Sequence, residues 1–211
     1  MQPRVRYSCV AAVALCAGLW IVLHLGGHRI AHENGLMENQ QALCLALAAL
    51  AFLAAARRQS ARPDKLFCIS LTLFCFTFLS RELQIRGERV PDWLESMLRS
   101  WRRHILLSVC WGGVLIAARN CWRKMLSTFA RWVRTPAGLL MIMGGIFYAL
   151  TWPFDKGLFH LAKPLNVFLE ELGDSIATML ILLSGVWTWR ANEEWSSASS
   201  LTDASTQRLN G

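Results

Sequence analysis

The chain has no phosphate loop of the GxxxxGKS or GxxxxGKT kind, no GxGxxG and no GxSxG, so nucleotide-driven chemistry and serine-elbow hydrolysis lack local support. It also has no CxxC. Its seven cysteines (Cys9, Cys16, Cys44, Cys68, Cys75, Cys110, Cys121) fall almost entirely inside apolar runs, where a thiol behaves as a small hydrophobe. Neither a disulfide framework nor a thiolate zinc site is indicated. Charge is scarce: 17% of the 211 residues are charged and 54% are hydrophobic, with a mean hydropathy of +0.33. An ordinary soluble domain carries about 25% charged residues. The net charge of +8 would suggest nucleic acid in a soluble protein, but the cations sit at the ends of apolar runs, so no nucleic-acid partner is expected.

The apolar residues gather into blocks. About 20 of them cross a hydrocarbon core of about 30 Å, and six blocks stand out, at 7–27, 36–56, 66–84, 104–119, 138–153 and 165–189. The first follows Arg4 and Arg6 as a secretory signal would. It is long for one and ends in Gly26, Gly27, His28 and Arg29 rather than a small-x-small site, so it reads as a retained span. The fourth is the shortest, its apolar core running only from Ile105 to Ala118.

Charge placement orients the blocks. With both termini cytoplasmic, thirteen of 22 basic residues face inward: Arg4, Arg6, Arg57, Arg58, Arg62, Lys65, Arg119, Arg123, Lys124, Arg131, Arg134, Arg190 and Arg208. The positive-inside rule therefore favours N-in, C-in. The expected fold is all-α, a polytopic membrane bundle of about six helices over residues 1–190. A Ser/Thr/Ala-rich cytoplasmic tail, expected to be disordered, covers 191–211. Two connectors have helical amphipathicity. After Pro91, Trp93, Leu94, Met97, Leu98 and Trp101 oppose Glu95, Arg99, Arg102 and Arg103. In the other, Trp122, Met125, Leu126, Phe129, Trp132 and Val133 oppose Arg123, Lys124, Arg131 and Arg134. Both read as interfacial helices, the second on the anionic cytoplasmic leaflet.

The polar residues of the spans cluster at their outer ends. His24, His28 and His32 recur at i, i+4 and i+8; Asn34, Glu38 and Gln41 share a face; Thr77, Ser80, Arg81 and Gln84 form a stripe beside Glu82. The fifth block ends in Tyr148, Thr151, Trp152, Asp155 and Lys156, and the sixth opens with Asn166, Glu170 and Asp174 flanked by Glu171. An ionised group in hydrocarbon costs at least about 2.5 kcal/mol, so such residues turn inward and pair. The expected pairs are Arg81 with Glu38, Glu170 or Asp174, and Lys156 with Asp174 or Glu171. The expected result is a polar pocket open to the periplasmic face. His24, His28 and His32 with Glu33 are the candidate ligands for a divalent metal such as Zn. Titratable groups do not continue through the inner half, which counts against an ion conduit.

The run Glu33-Asn34-Gly35 with Glu38, Gln40 and Gln41, then Ser80-Arg81-Glu82-Leu83-x-Ile85-Arg86, and finally Phe168-x-Glu170-Glu171-x-x-Asp174, resembles a group of small bacterial inner-membrane proteins to which no activity is assigned. The resemblance covers most of the chain from Glu33 to about Ser184, with Asp174 where the group carries a glutamate. It implies a multi-pass protein of the inner membrane. A fainter likeness to the CREST-type membrane hydrolases stops short of their seventh span and C-terminal HxxxH, so their roles are not carried over. The leading expectation is a pocket for a lipid headgroup or for another membrane protein. The alternative is a metal-dependent hydrolase or transferase acting on lipid at the outer leaflet, with His28, His32 and Glu38 or Glu170 as ligands or base.

Overall fold

The computed structural model describes residues 3–26, 36–82, 100–156, 158 and 162–191. Among them are seven α-helices and no strand: α1 Pro3–Leu25, α2 Leu36–Arg58, α3 Arg62–Glu82, α4 Ser100–Ala118, α5 Trp122–Val133, α6 Pro136–Asp155 and α7 Lys163–Arg190. Each of the six apolar blocks forms a helix. Leu36–Arg58, Arg62–Arg81 and Pro136–Phe154 are long and apolar enough to cross a membrane. Trp101–Ala118 and Trp122–Val133 make a fourth candidate if taken together as one broken span, bent by 105°. The apolar stretch of α1, Val13–Leu25, is shorter.

The helices run alternately up and down. A three-residue link turns α2 back into α3, and Arg62 at the start of α3 donates to the Ala117 carbonyl at the end of α4 (3.4 Å), while Arg103 at the start of α4 donates to the Ser80 carbonyl near the end of α3 (2.7 Å). Phe67 of α3 meets Trp132 just before α6, and Phe78 meets Tyr148 far along it, so α3 and α6 run parallel. Gln41 of α2 contacts Glu171 of α7, and Ala48 lies against Gly185, so these two also run parallel. α7 is the hub, packed against α1, α2 and α6.

In a lipid phase helices gain nothing from hiding apolar surface, and close backbone approach does the packing instead. Gly185 lets α7 approach Ala48 and Ala51 of α2; Gly144 lets α6 approach Ala177 and Ile181 of α7. The main core joins Leu45, Phe52, Phe67, Leu71, Trp132 and Ile181. A smaller cluster of Trp20, Met37 and Phe168 attaches α1. The outward faces are apolar: Leu15, Leu43, Leu50, Val109, Ile116, Ile146 and Leu150 are all exposed. A bundle that is apolar outside and carries its polar groups between helices has the pattern of a membrane protein.

The connector 122–133 is helical as expected, but its apolar face is divided. Trp132 is buried on the bundle, stacked edge-on against Phe67 and donating to Thr188 (3.1 Å), while Trp122, Leu126 and Phe129 stay about half exposed. Thr128 is also buried and donates to Asp64 of α3 at 2.6 Å. One flank of α5 is therefore clamped to protein and the neighbouring flank is left open. The corner into α6 is set by Thr135, whose hydroxyl accepts from the Gly138 amide, with Pro136 at the first helical position. The connector after Pro91, except residues 100–103, lies outside the described residues, as does the tail beyond Ala191.

Candidate polar site at one end of the bundle

Three helices bring polar side chains onto the first half of α7. The Gln41 amide of α2 is fully buried and donates to the Glu171 carboxylate (2.8 Å) and backbone carbonyl (3.1 Å), with the Ser175 hydroxyl at 3.4 Å. Thr151 of α6 has its hydroxyl 2.7 Å from the Asp174 carboxylate and 2.8 Å from the Tyr148 carbonyl; its single proton serves one of them at a time. From α3, the Arg81 guanidinium lies 3.8 Å from the other oxygen of Asp174. Glu38, Asp174 and Arg81 are all close enough to act electrostatically on Glu171. The helices meet here because Gly173 leaves room for the Thr151 methyl, which a Cβ would strike.

Four of the candidates from sequence thus converge: Glu38, Arg81, Glu171 and Asp174. Glu170 is half-buried beside them, and Lys156 is exposed at the end of α6. The side chains of Glu82 and Asp155 lie outside the described ones. Arg81 pairs with Asp174, one of the expected partners, but its position differs from the expectation. Its side chain is 60% exposed while that of Asp174 is 7% exposed, so the cation caps the cluster from the open side instead of entering the bundle. Arg81 stands at the end of its helix, where a long side chain reaches water more easily than the short carboxylate of α7.

An apolar groove of about 200 Å³ opens between α6 and α7, lined by Phe147, Leu150, Thr151, Leu172, Gly173 and Ile176 and by none of the charged residues of the cluster. The His24 ring stacks on Phe168, centroids 3.8 Å apart and 15° from coplanar. His28, His32 and Glu33 lie outside the described residues, and among the described residues no three His, Cys, Asp or Glu side chains gather as a metal would require.

Sequence reasoning passed over Ser175 as a partner in this cluster, and Arg103 as a tie between α4 and α3. It also missed Asp64 with Thr128 at the opposite end. Asp64 carried a signal, as the one acidic residue in a long basic stretch; Thr128 carried none beyond its place among apolar neighbours.

No protein-family model, curated protein or solved structure matches the chain. Its function is therefore argued from the geometry.

Proposed function

We propose that this chain is a six-span protein of a bacterial inner membrane, both termini cytoplasmic, whose polar cluster on the periplasmic side binds the zwitterionic headgroup of a phospholipid. The observation that carries the reading is the pairing of an exposed Arg81 with a buried Asp174, beside Glu171. A cation for phosphate and carboxylates for an ammonium group stand side by side at one bundle end. Carboxylates outnumber the cation, which favours an amine with N–H donors over a quaternary one. A separate apolar groove between α6 and α7, which shares Thr151 with the cluster, has the lining an acyl chain needs. Sidedness is supported by the alternating helix directions and by the basic residues at the far end. The hydrolase alternative rests on His28 and His32, outside the described residues, and on no geometry seen within them.

Two measurements test this. Phosphatase fusions should be active after Gly35 or Lys163 and inactive after Arg62 or Gly211; an active fusion at Gly211 ends the six-span reading. Native mass spectrometry of the detergent-purified chain should show phosphatidylethanolamine retained over phosphatidylcholine, with retention reduced at least about tenfold in Arg81→Met/Asp174→Asn, the equivalent of about 1.4 kcal/mol. Equal retention of both lipids by parent and variant would sink the headgroup site.

A further inference from the structure

The end of the bundle opposite the polar cluster is chemically its inverse. Ten basic residues stand there, all exposed: Arg57 and Arg58 at the end of α2, Arg62 and Lys65 at the start of α3, Arg119 after α4, Arg123, Lys124, Arg131 and Arg134 on and after α5, and Arg190 at the end of α7. Contacts place them at one end: Arg62 reaches the α4 terminus, Arg58 lies over the Trp189 ring at 5.0 Å, and α5 is bonded to both α3 and α7. Among the described residues the single acid at this end is Asp64. It is occupied by Thr128 at 2.6 Å and by Arg131 at 4.0 Å, and its side chain is 16% exposed. The surface is therefore almost wholly cationic.

α5 gives this surface its form. Around its axis three sectors follow one another: Thr128 and Trp132 against the bundle; then the exposed Trp122, Leu126 and Phe129; then the exposed Arg123, Lys124 and Arg131. Because it turns away from α4 by 105°, the helix lies across the bundle end rather than along it. Its exposed apolar sector then faces sideways, level with the ends of the other helices, and the cations flank it. Aromatic and leucine side chains at the acyl boundary with cations at phosphate level are what an anionic bilayer surface binds. An acidic protein would match the charge, but it would leave Trp122, Leu126 and Phe129 in a sector pointing along the membrane plane. The hydrogen bonds to Asp64 and Thr188 hold the helix in place before any lipid arrives.

We infer that α5 and the surrounding cations form a preformed binding surface for anionic phospholipid headgroups, such as phosphatidylglycerol, distinct from the zwitterionic site at the other end. The test uses the full chain reconstituted in phosphatidylcholine bilayers, with spin-labelled phosphatidylglycerol or spin-labelled phosphatidylcholine as the probe. The parent should prefer the phosphatidylglycerol several-fold, and 0.5 M salt, which screens exposed charges, should reduce that preference without any mutation. Arg123→Gln/Lys124→Gln/Arg134→Gln should lower it by at least about threefold, as expected from removing three surface cations. The charge-keeping Arg123→Lys/Arg134→Lys and the opposite-end Arg102→Gln/Lys163→Gln should each retain it. Absence of a preference in the parent overturns the inference, as does indifference to salt or an equal loss in the opposite-end variant. If the triple variant leaves lipid preference intact but changes the oligomeric mass in detergent, the face is a contact between copies and the inference is wrong.

Discussion

The two ends of the bundle solve the same problem in opposite ways. At one end, among the described side chains, four acids (Glu38, Glu170, Glu171, Asp174) share the space with five cations (Arg81, Arg102, Arg103, Lys156, Lys163); at the other, ten cations stand against one acid. The mixed end draws polar groups inward: Asp174 and Gln41 are buried and bonded across helices. The basic end keeps every cation exposed and buries only the neutral or paired groups, Thr128, Trp132 and Thr188. Charges of both signs can neutralise one another between helices, whereas a single sign cannot be buried without self-repulsion and must face water or headgroups. The inward cluster is thus suited to selecting one ligand, and the outward one to holding many equivalent ones.

Each end also has one glycine that fixes its geometry, and the two glycines meet different atoms. A Cβ at Gly138, at the basic end, would strike the Trp132 carbonyl and the Val133 Cα, which are backbone and cannot rotate away. A Cβ at Gly173, at the mixed end, would strike only the methyl of Thr151. We expect Gly138→Ala to be the most damaging single change, costing about 3 kcal/mol, at the upper end for overpacking, and Gly173→Ala about 1 kcal/mol. Thr151→Ser removes the methyl but keeps the hydroxyl near Asp174, so it should rescue Gly173→Ala and leave Gly138→Ala unchanged. Denaturation of the detergent-solubilised variants measures all four. Additive behaviour of Gly173→Ala with Thr151→Ser would show that the mixed end closes on something other than this contact.

How much of this was legible in the sequence differs between the ends for a physical reason. Polar residues interrupting an apolar helix are costly enough to demand partners, so the periodicity of Glu38–Gln41 and of Glu170–Asp174 points to a shared cluster. The choice among partners was not legible: Arg81 meeting Asp174, and Glu171 meeting Gln41, depend on how α7 is rotated, which Gly173 and Gly185 decide through contacts with distant helices. At the basic end the charge pattern gave the surface, but the division of α5 was hidden. Its amphipathic pattern treats all apolar residues alike, and only the tertiary contacts of Phe67 and Thr188 separate Trp132 from Trp122.

The smallest expected effect concerns Arg81, and it sharpens the comparison most. An Arg–Asp pair fully enclosed between helices would lose about 3 to 5 kcal/mol when one partner is removed. Here the guanidinium side chain is 60% exposed and 3.8 Å from the carboxylate, so solvent screens the pair and a coupling of about 0 to 1 kcal/mol is expected. Asp174→Asn keeps an oxygen for the Thr151 hydroxyl, which has the Tyr148 carbonyl as its second acceptor, and in Arg81→Met the Asp174 carboxylate keeps the Thr151 hydroxyl as a donor. Stability should therefore fall little in Arg81→Met and in Asp174→Asn, and no further in the double variant than in the worse single one. The measurement is a double-mutant cycle on detergent-solubilised protein at low and high salt. A coupling above about 3 kcal/mol that survives salt would mean that Arg81 is sealed inside the bundle. The contrast between a capped mixed end and an open basic end would then have to be given up.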